Sequence, residues 1–520
     1  MFISRHQRNH QPLVFCLPLD RQGRREGEDE ADLFTFDTAA HEMEDIIRSS
    51  NDSARNAKNV ETREQKAAWW EERYGLDKRM EEMLLNMEFV WLGPFKTILS
   101  PRGKLDEPTL ASFRERLERI FIAALGGAGT DIKKCSTVKL AKPLIECFAT
   151  LSSKCKDEEV EDLVYFVLDI YQFHGIPVAL AELDIDQVGI DVKSALAELE
   201  GSRPDTRSTN DEHLFLVLDK NVQSFPWESI PILRGRAVSR IPSLPFLLDQ
   251  VALVEELQAS AMAAAPPLML GAAPKSQLAG STPAQESRST KDSGPPAMLA
   301  AGTSASASPA NPASSTFSDV RLSLDSRKVF YILNPSGDLS RTQTHFEPWL
   351  ASMIAKAGWK GISGRPPTEL ELTSVLREYD LVLYFGHGGA EQYIRSHKVR
   401  HLARCATTML WGCSSGHLKD QGDLDRTGTA WNYMMAGCPS LVANLWDVTD
   451  RDIDRLSEAV FHKLHLDASR VPDAKAKTLG VMPLSELSTV QAVNGSREDC
   501  KLKYLTGAAP VVYGLPVYLH

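Results

Sequence analysis

The sequence predicts an α/β protein: a mainly parallel sheet flanked by helices, preceded by an all-α helical domain. Three features carry that expectation. Apolar residues recur at helical spacing through 32–205, unbroken β-compatible runs begin at residue 211, and the stretches between those runs are long enough for crossover helices.

Residues 1–31 are polar and dense in Arg, Gly and Glu, and read as a disordered terminus with too little apolar surface to offset its ordering entropy. In the helical domain, 32–205, Trp69, Trp70, Tyr74, Met80, Met83, Leu84, Met87 and Trp91 fall mostly three or four apart. Phe113, Leu117, Ile120 and Phe121, then Val160, Leu163, Val164, Phe166, Val167 and Ile170, repeat the pattern, as several packed amphipathic helices require. After a turn-rich junction, His213-Leu-Phe-Leu-Val-Leu218 reads as a strand buried on both faces and opens a second domain, 211–255 and 321–520. That domain is interrupted at 256–320, where Ala, Ser, Pro and Gly dominate and no aromatic residue occurs between Phe246 and Phe317. The stretch reads as a disordered insertion. Strands are predicted again at Val329–Leu333, Leu381–Phe385, Thr407–Trp411 and Leu441–Ala443, with a helix over roughly Ala390–Leu402 between the second and third.

Composition narrows the function. With 58 basic against 69 acidic residues, a net charge of −11 and no polybasic block, direct nucleic-acid binding is not expected. Eight cysteines without a CxxC pair are too sparse for a disulfide framework and fit a reducing compartment. The apolar stretch at Leu13–Leu19 is broken by Pro18, and the Ala-rich run after Ala259 by Pro266 and Pro267, so neither a signal peptide nor a membrane span is expected.

Two predicted strands end in polar, glycine-flanked turns, Phe385-Gly-His387-Gly-Gly389 and Trp411-Gly-Cys413-Ser-Ser-Gly416. In open α/β sheets, sites form beyond the carboxyl ends of strands, and the 26 residues from His387 to Cys413 suit one βαβ unit. An imidazole and a thiol are therefore expected side by side, as base and nucleophile. The amides of Gly388 and Cys413 are the candidate oxyanion donors, each a contribution of roughly 3 kcal/mol. No separate third residue to orient the imidazole is identifiable. Taken singly, a cysteine in an apolar strand is more often a core residue, the reading given to Cys405 and Cys438. The pairing of two such strand ends is what favours a dyad.

Tyr384-Phe-Gly-His-Gly-Gly-Ala-Glu-Gln-Tyr393, Met409-Leu-Trp-Gly-Cys-Ser-Ser-Gly416 and Ser440-Leu-Val-Ala-Asn-Leu-Trp-Asp-Val-Thr-Asp450 resemble the protease domain of separase, a caspase-like cysteine endopeptidase. Leu216-Val-Leu-Asp-Lys220, Pro226-Trp-Glu-Ser-Ile-Pro231, Val238-Ser-Arg-Ile-Pro-Ser243 and Trp69-Trp-Glu-Glu-Arg73 extend the match. The resemblance implies a caspase-like sheet, a His387 and Cys413 catalytic pair and no cofactor. It also implies cleavage of the cohesin kleisin subunit after Arg in a Glu-x-x-Arg context, triggering sister-chromatid separation, with securin as inhibitory partner and a nuclear and cytoplasmic location. The chain is similar to the carboxyl-terminal part of much longer family members.

A substrate Arg needs a buried carboxylate. Of the acidic residues after Trp446, the resemblance favours Asp454 in the arginine pocket, then Asp447, with Trp446 as a wall. Asp450 and Asp452 read instead as polarising the first turn of a helix. Arg395, Lys398 and Arg400, on the crossover, are equally well explained as a solvated face. Glu200-Gly-Ser-Arg203 matches the cleavage pattern, but Pro204 after it argues against self-cleavage. Two rivals remain at this level: a metal site at His397, His401 and Cys405, and an inert caspase-like scaffold that binds a partner in its cleft.

Overall fold

The computed structural model describes residues 1–7, 10–21, 33–57, 60–100, 105–202, 212–264, 322–474 and 485–520, without the side chains of 257–264. Two compact units divide the chain, residues 1–250 with 321–520, and residues 251–320. Most of the predicted insertion and the Glu200–Arg203 cleavage pattern fall partly or wholly outside the described residues. The helix Leu244–Ala264, however, runs into the stretch expected to be disordered.

The first unit holds one eight-stranded sheet built from β1 (Leu214–Leu216), β2 (Val238–Arg240), β3 (Val329–Leu333), β4 (Lys360–Ser363), β5 (Leu381–Phe385), β6 (Thr407–Leu410), β7 (Ser440–Asn444) and β8 (Pro510–Gly514). Its spatial order is β1-β2-β8-β7-β6-β5-β3-β4. Only the β7–β8 pair is antiparallel. The central strands β5, β6 and β7 are buried at every position, as strands in a sheet covered on both faces must be. β1 corrects the sequence reading: it lies at the sheet edge, and Val217 just beyond it is 54% exposed. From β3 the chain goes out to β4, then returns past β3 to β5, β6 and β7. This reversal of direction leaves a crevice at the carboxyl ends of β3 and β5, where open α/β sheets form their sites.

Two helices start at that crevice. α6 (Ser340–Ala357) follows β3 and α8 (Asp450–Lys463) follows β7. Trp349 of α6 stacks on Phe461 of α8 at 4.8 Å between ring centres, and Phe346 of α6 sits 4.5 Å from Phe385 at the end of β5. Such aromatic pairs, each worth about 0.5–1.5 kcal/mol beyond area burial, lay the two helices side by side on the sheet.

The helical part divides differently from its prediction. α1 (Phe36–Asn56) buries Ala39, Met43 and Ile46, and α2 (Arg63–Asn86) buries Leu76, Met80, Met83 and Leu84, in the same hydrophobic core as the sheet. A second core joins α3 (Glu107–Gly127), α4 (Asp157–Phe173) and α5 (Ile185–Ser202) to Leu13, Phe15 and Leu17. Those last residues belong to an ordered terminus: Phe2–Arg5 pairs antiparallel with Leu13–Cys16. Arg21 then forms a buried bidentate pair with Asp162. The expected disorder of 1–31 is thus corrected for its described part, because alternate residues of this hairpin point into the helices. Residues 22–31 lie outside the described residues.

A segment after residue 499 ties α2 to the sheet. The Asp77 carboxylate on α2 accepts from the amides of Tyr504 and Leu505, at 2.9 and 2.7 Å. Asp452 on α8 accepts from those of Lys501 and Leu502, at 2.7 and 2.9 Å. Just beyond α2, Glu88 accepts from the Ile232 amide at 2.6 Å.

Candidate active site

β5 and β6 run parallel with Tyr384 opposite Leu410, so His387 and Cys413 each lie three residues past the same paired position. Their loops touch backbone to backbone. A β-carbon on Gly412 would stand 2.2 Å from the Gly388 carbonyl oxygen and 2.4 Å from that of Gly386, so only glycine permits this approach. The predicted long helix over Ala390–Leu402 is absent; only α7 (Ser396–Arg400) is helical. The chain instead turns sharply through Gly388 and Ala390, with φ of +61° and +67°. The Glu391 carboxylate accepts from the Gly389 amide at 2.7 Å and from the Thr429 hydroxyl, closing the loop.

The imidazole is fixed from two sides. The His387 carbonyl accepts from the Tyr384 hydroxyl at 2.8 Å and from Gln392 Nε2 at 3.2 Å. Its ring Nε2 lies 2.9 Å from Asp338 Oδ2, in the loop between β3 and α6. Sequence reasoning found no such third residue. The available signal was a third strand end in the same style, Asn334-Pro-Ser-Gly-Asp338, directly after β3.

The cysteine turn is clamped to the end of β7. Asn444 Nδ2 donates to the carbonyls of Trp411 and Gly412 at 3.1 and 3.0 Å, and the Ser414 amide donates to Trp446 O at 3.1 Å. Ser414 holds φ at +51°, a conformation that costs a non-glycine residue about 1–3 kcal/mol. Its hydroxyl, donating to Asp447 Oδ1 at 2.6 Å, helps hold it there. The Cys413 thiol donates to Val448 O at 3.2 Å, and burial, with the nearby Asp447 and Asp450 carboxylates, pushes it up to about 11. It is therefore protonated at neutral pH and needs a base to become a nucleophile. His417, the other imidazole near this turn, is held below the usual range by burial and by Arg426 and Lys419. Among the described residues, neither the Gly388 nor the Cys413 amide donates to another residue.

The arginine-pocket candidates separate. Asp454 is 7% exposed, one turn into α8, and accepts from the Thr342 hydroxyl, one turn into α6, at 2.9 Å. Burial pushes its carboxyl up to about 6 against the lowering effect of that hydroxyl. Asp447, half-buried, accepts from the Ser414 hydroxyl and so helps hold the cysteine turn. Trp446 is buried, its indole N–H donates to Leu505 O at 2.8 Å, and it lines a groove of about 590 Å³ beside Ser414, with Met43, Ile47 and Phe225. Of the crossover cations, Lys398 pairs with Glu369 and Arg400 binds Asn432 Oδ1 at 2.9 Å. Cys405 is buried beside Cys438, while His401 Nδ1 sits 2.6 Å from the His397 carbonyl. Among the described residues no three His, Cys, Asp or Glu side chains group as metal ligands. No described helix is long and apolar enough to cross a membrane.

Comparison with known proteins gives concordant matches. The family model for the separin protease domain matches residues 1–453. Separin of Schizosaccharomyces pombe is 36% identical over 522 residues, covering all of this chain and 24% of that protein. Separin of Emericella nidulans is 37% identical over 524 residues, covering 100% and 22%. The crystal structure of the Saccharomyces cerevisiae separase–securin complex aligns with a TM-score of 0.72 at 29% identity, over 94% of this chain and 28% of that one. The chain spans about a quarter of the length of the curated relatives it matches.

Proposed function

The chain belongs to the separase family of proteases, and from that premise we propose that it is a cysteine endopeptidase cleaving the cohesin kleisin subunit after Arg in a Glu-x-x-Arg context. The observation that supports the reading is the backbone approach of Gly412 to Gly386 and Gly388, which brings the loops bearing Cys413 and His387 together at the sheet's carboxyl edge.

In this reading the substrate guanidinium enters between the first turns of α6 and α8 and pairs with Asp454, while the groove beside Ser414 receives neighbouring substrate residues. His387 takes the Cys413 proton as Sγ bonds to the scissile carbonyl carbon. The unoccupied amides of Gly388 and Cys413 donate to the oxyanion. The imidazolium then protonates the leaving amine as the C–N bond breaks, and water hydrolyses the thioester. The likeness to a yeast separase solved in complex with securin supports an inhibitory partner of the securin kind, and the setting would be the nucleus and cytoplasm.

An arginine acyloxymethyl ketone peptide of Glu-x-x-Arg sequence tests the proposal. It is expected to label Cys413 one to one and to block cleavage of the kleisin segment. Labelling equal to that of a lysine-free, arginine-free control peptide, or cleavage surviving in Cys413→Ala, would overturn it.

A further inference from the structure

We propose that Asp338 is a positioning residue that holds the His387 imidazole in its working tautomer, making the site a unit of three side chains. The inference rests on the reading of His387 and Cys413 as base and nucleophile. A carboxylate only accepts, so Oδ2 at 2.9 Å from Nε2 requires the ring proton on Nε2. The Nδ1 lone pair is then left to take the thiol proton. Without this partner the neutral ring divides between two tautomers, one of which presents an N–H to the sulfur and cannot act as base.

The carboxylate stands on a turn built to hold it. Asn334 closes that turn three times over, with its left-handed φ of +49°. Its amide donates to Phe385 O at 2.8 Å, its carbonyl accepts from the Gly337 amide at 3.1 Å, and its Oδ1 accepts from the Leu339 amide at 2.8 Å. The Asn334 side-chain amide then donates to Gln343 Oε1 on α6 at 2.8 Å. The turn is thus bonded to the end of β5, two residues before His387, and to the helix that follows. Among the described residues the Asp338 carboxylate has no other hydrogen-bond partner.

The plainer alternative is a surface ion pair, since the two side chains are 50% and 61% exposed. Pairs so exposed contribute little to stability. Orientation does not depend on burial, and the rigidity of the turn supplies it. During acylation the proton of Cys413 moves to Nδ1 as the S–C bond forms. The ring becomes positive with a proton on each nitrogen, and Asp338 continues to accept from Nε2–H. When the C–N bond breaks, Nδ1 gives its proton to the amine.

The test compares Asp338→Ala, Asp338→Asn and Asp338→Glu on a Glu-x-x-Arg peptide. Asp338→Ala is expected to lower kcat about 10- to 100-fold, the usual cost of removing a group that orients a working histidine, with KM within about twofold. Asp338→Asn, an acceptor without charge, falls between, and Asp338→Glu recovers part of the loss. The second readout needs no turnover: long-range ¹H–¹⁵N spectra of labelled histidine report the tautomer, with the His387 signals assigned by their loss in His387→Gln. Wild type should show the Nε2–H form and Asp338→Ala a mixture. A kcat within twofold of wild type in Asp338→Ala, or unmoved His387 signals, overturns the proposal. If wild type cleaves nothing while the His387 signals still respond to Asp338→Ala, the proteolytic reading fails and the positioning role stands.

Discussion

Arginine binding should weaken as pH falls through about 6, because the pocket carboxylate must ionise to receive a guanidinium. Asp454 is nearly sealed between α6 and α8, and its carboxyl is pushed up to about 6. If only the carboxylate binds, the apparent dissociation constant rises by the factor 1 + 10^(6−pH): about twofold at pH 6 and about elevenfold at pH 5, or roughly 1.4 kcal/mol, with almost no effect above pH 7. Anisotropy of a labelled Glu-x-x-Arg peptide on the Cys413→Ala protein measures this without cleavage. A citrulline peptide of the same shape should bind with no such slope, and Asp454→Asn should lose the slope together with about 2–5 kcal/mol of arginine affinity. Asp450, His345 and Glu458 are the other ionisable groups facing Asp454. A His345→Gln variant separates the neighbouring imidazole from the carboxyl. Binding that stays flat between pH 5 and 7, or a slope that survives Asp454→Asn, refutes the reasoning. The same raised carboxyl has a folding consequence. The native state holds this proton more tightly than the unfolded chain, so the stability it lends is complete below pH 3.8 and is lost as pH rises through about 6. At pH 7.5 Asp454→Asn should therefore raise the unfolding free energy by up to about 3 kcal/mol in a denaturant titration, while abolishing arginine selectivity.

Gly412→Ala should reduce peptide cleavage at least about 100-fold, since a methyl group 2.2 Å from a backbone oxygen must part the His387 and Cys413 loops. An unchanged kcat would show that the loops need not touch. In a His387→Ala background, alkylation of Cys413 by iodoacetamide should keep rising about tenfold per pH unit from 7 to 10, as expected of a thiol pushed up to about 11. A plateau above pH 9 would contradict the burial argument.

Much of the sheet was legible because the central strands are covered on both faces, so Val329–Leu333 and Leu381–Phe385 are unbroken apolar runs and Thr407–Leu410 is β-compatible throughout. β4 was invisible for the converse reason. At an edge, Lys360-Gly-Ile-Ser363 buries only Ile362, and nothing in it departs from loop composition. β1 misled in the other direction, being apolar yet peripheral. Helical spacing in 69–91 announced a buried stripe but not its partner. Periodicity defines a face, and only the folded chain shows that α1 and α2 turn theirs to the sheet while α3, α4 and α5 close on one another. That the His387 and Cys413 loops adjoin could be read from two local motifs joined by one crossover. Asp338 could not, because its pairing spans 49 residues and depends on the order of strands in the sheet.

The carboxylates Asp77 and Glu88 make α2 and the turn beyond it a working part of the protease half, not a neighbour of it. A fragment starting at residue 212 would strand three amides, those of Tyr504, Leu505 and Ile232, without their acceptors. The brace behind Trp446, and through Asp452 the root of α8, would then hang free at one end. In the proposed reading, a partner gripping α2 from outside would pull on the segment that also holds Asp452 at the root of α8, and so on the proposed arginine recess.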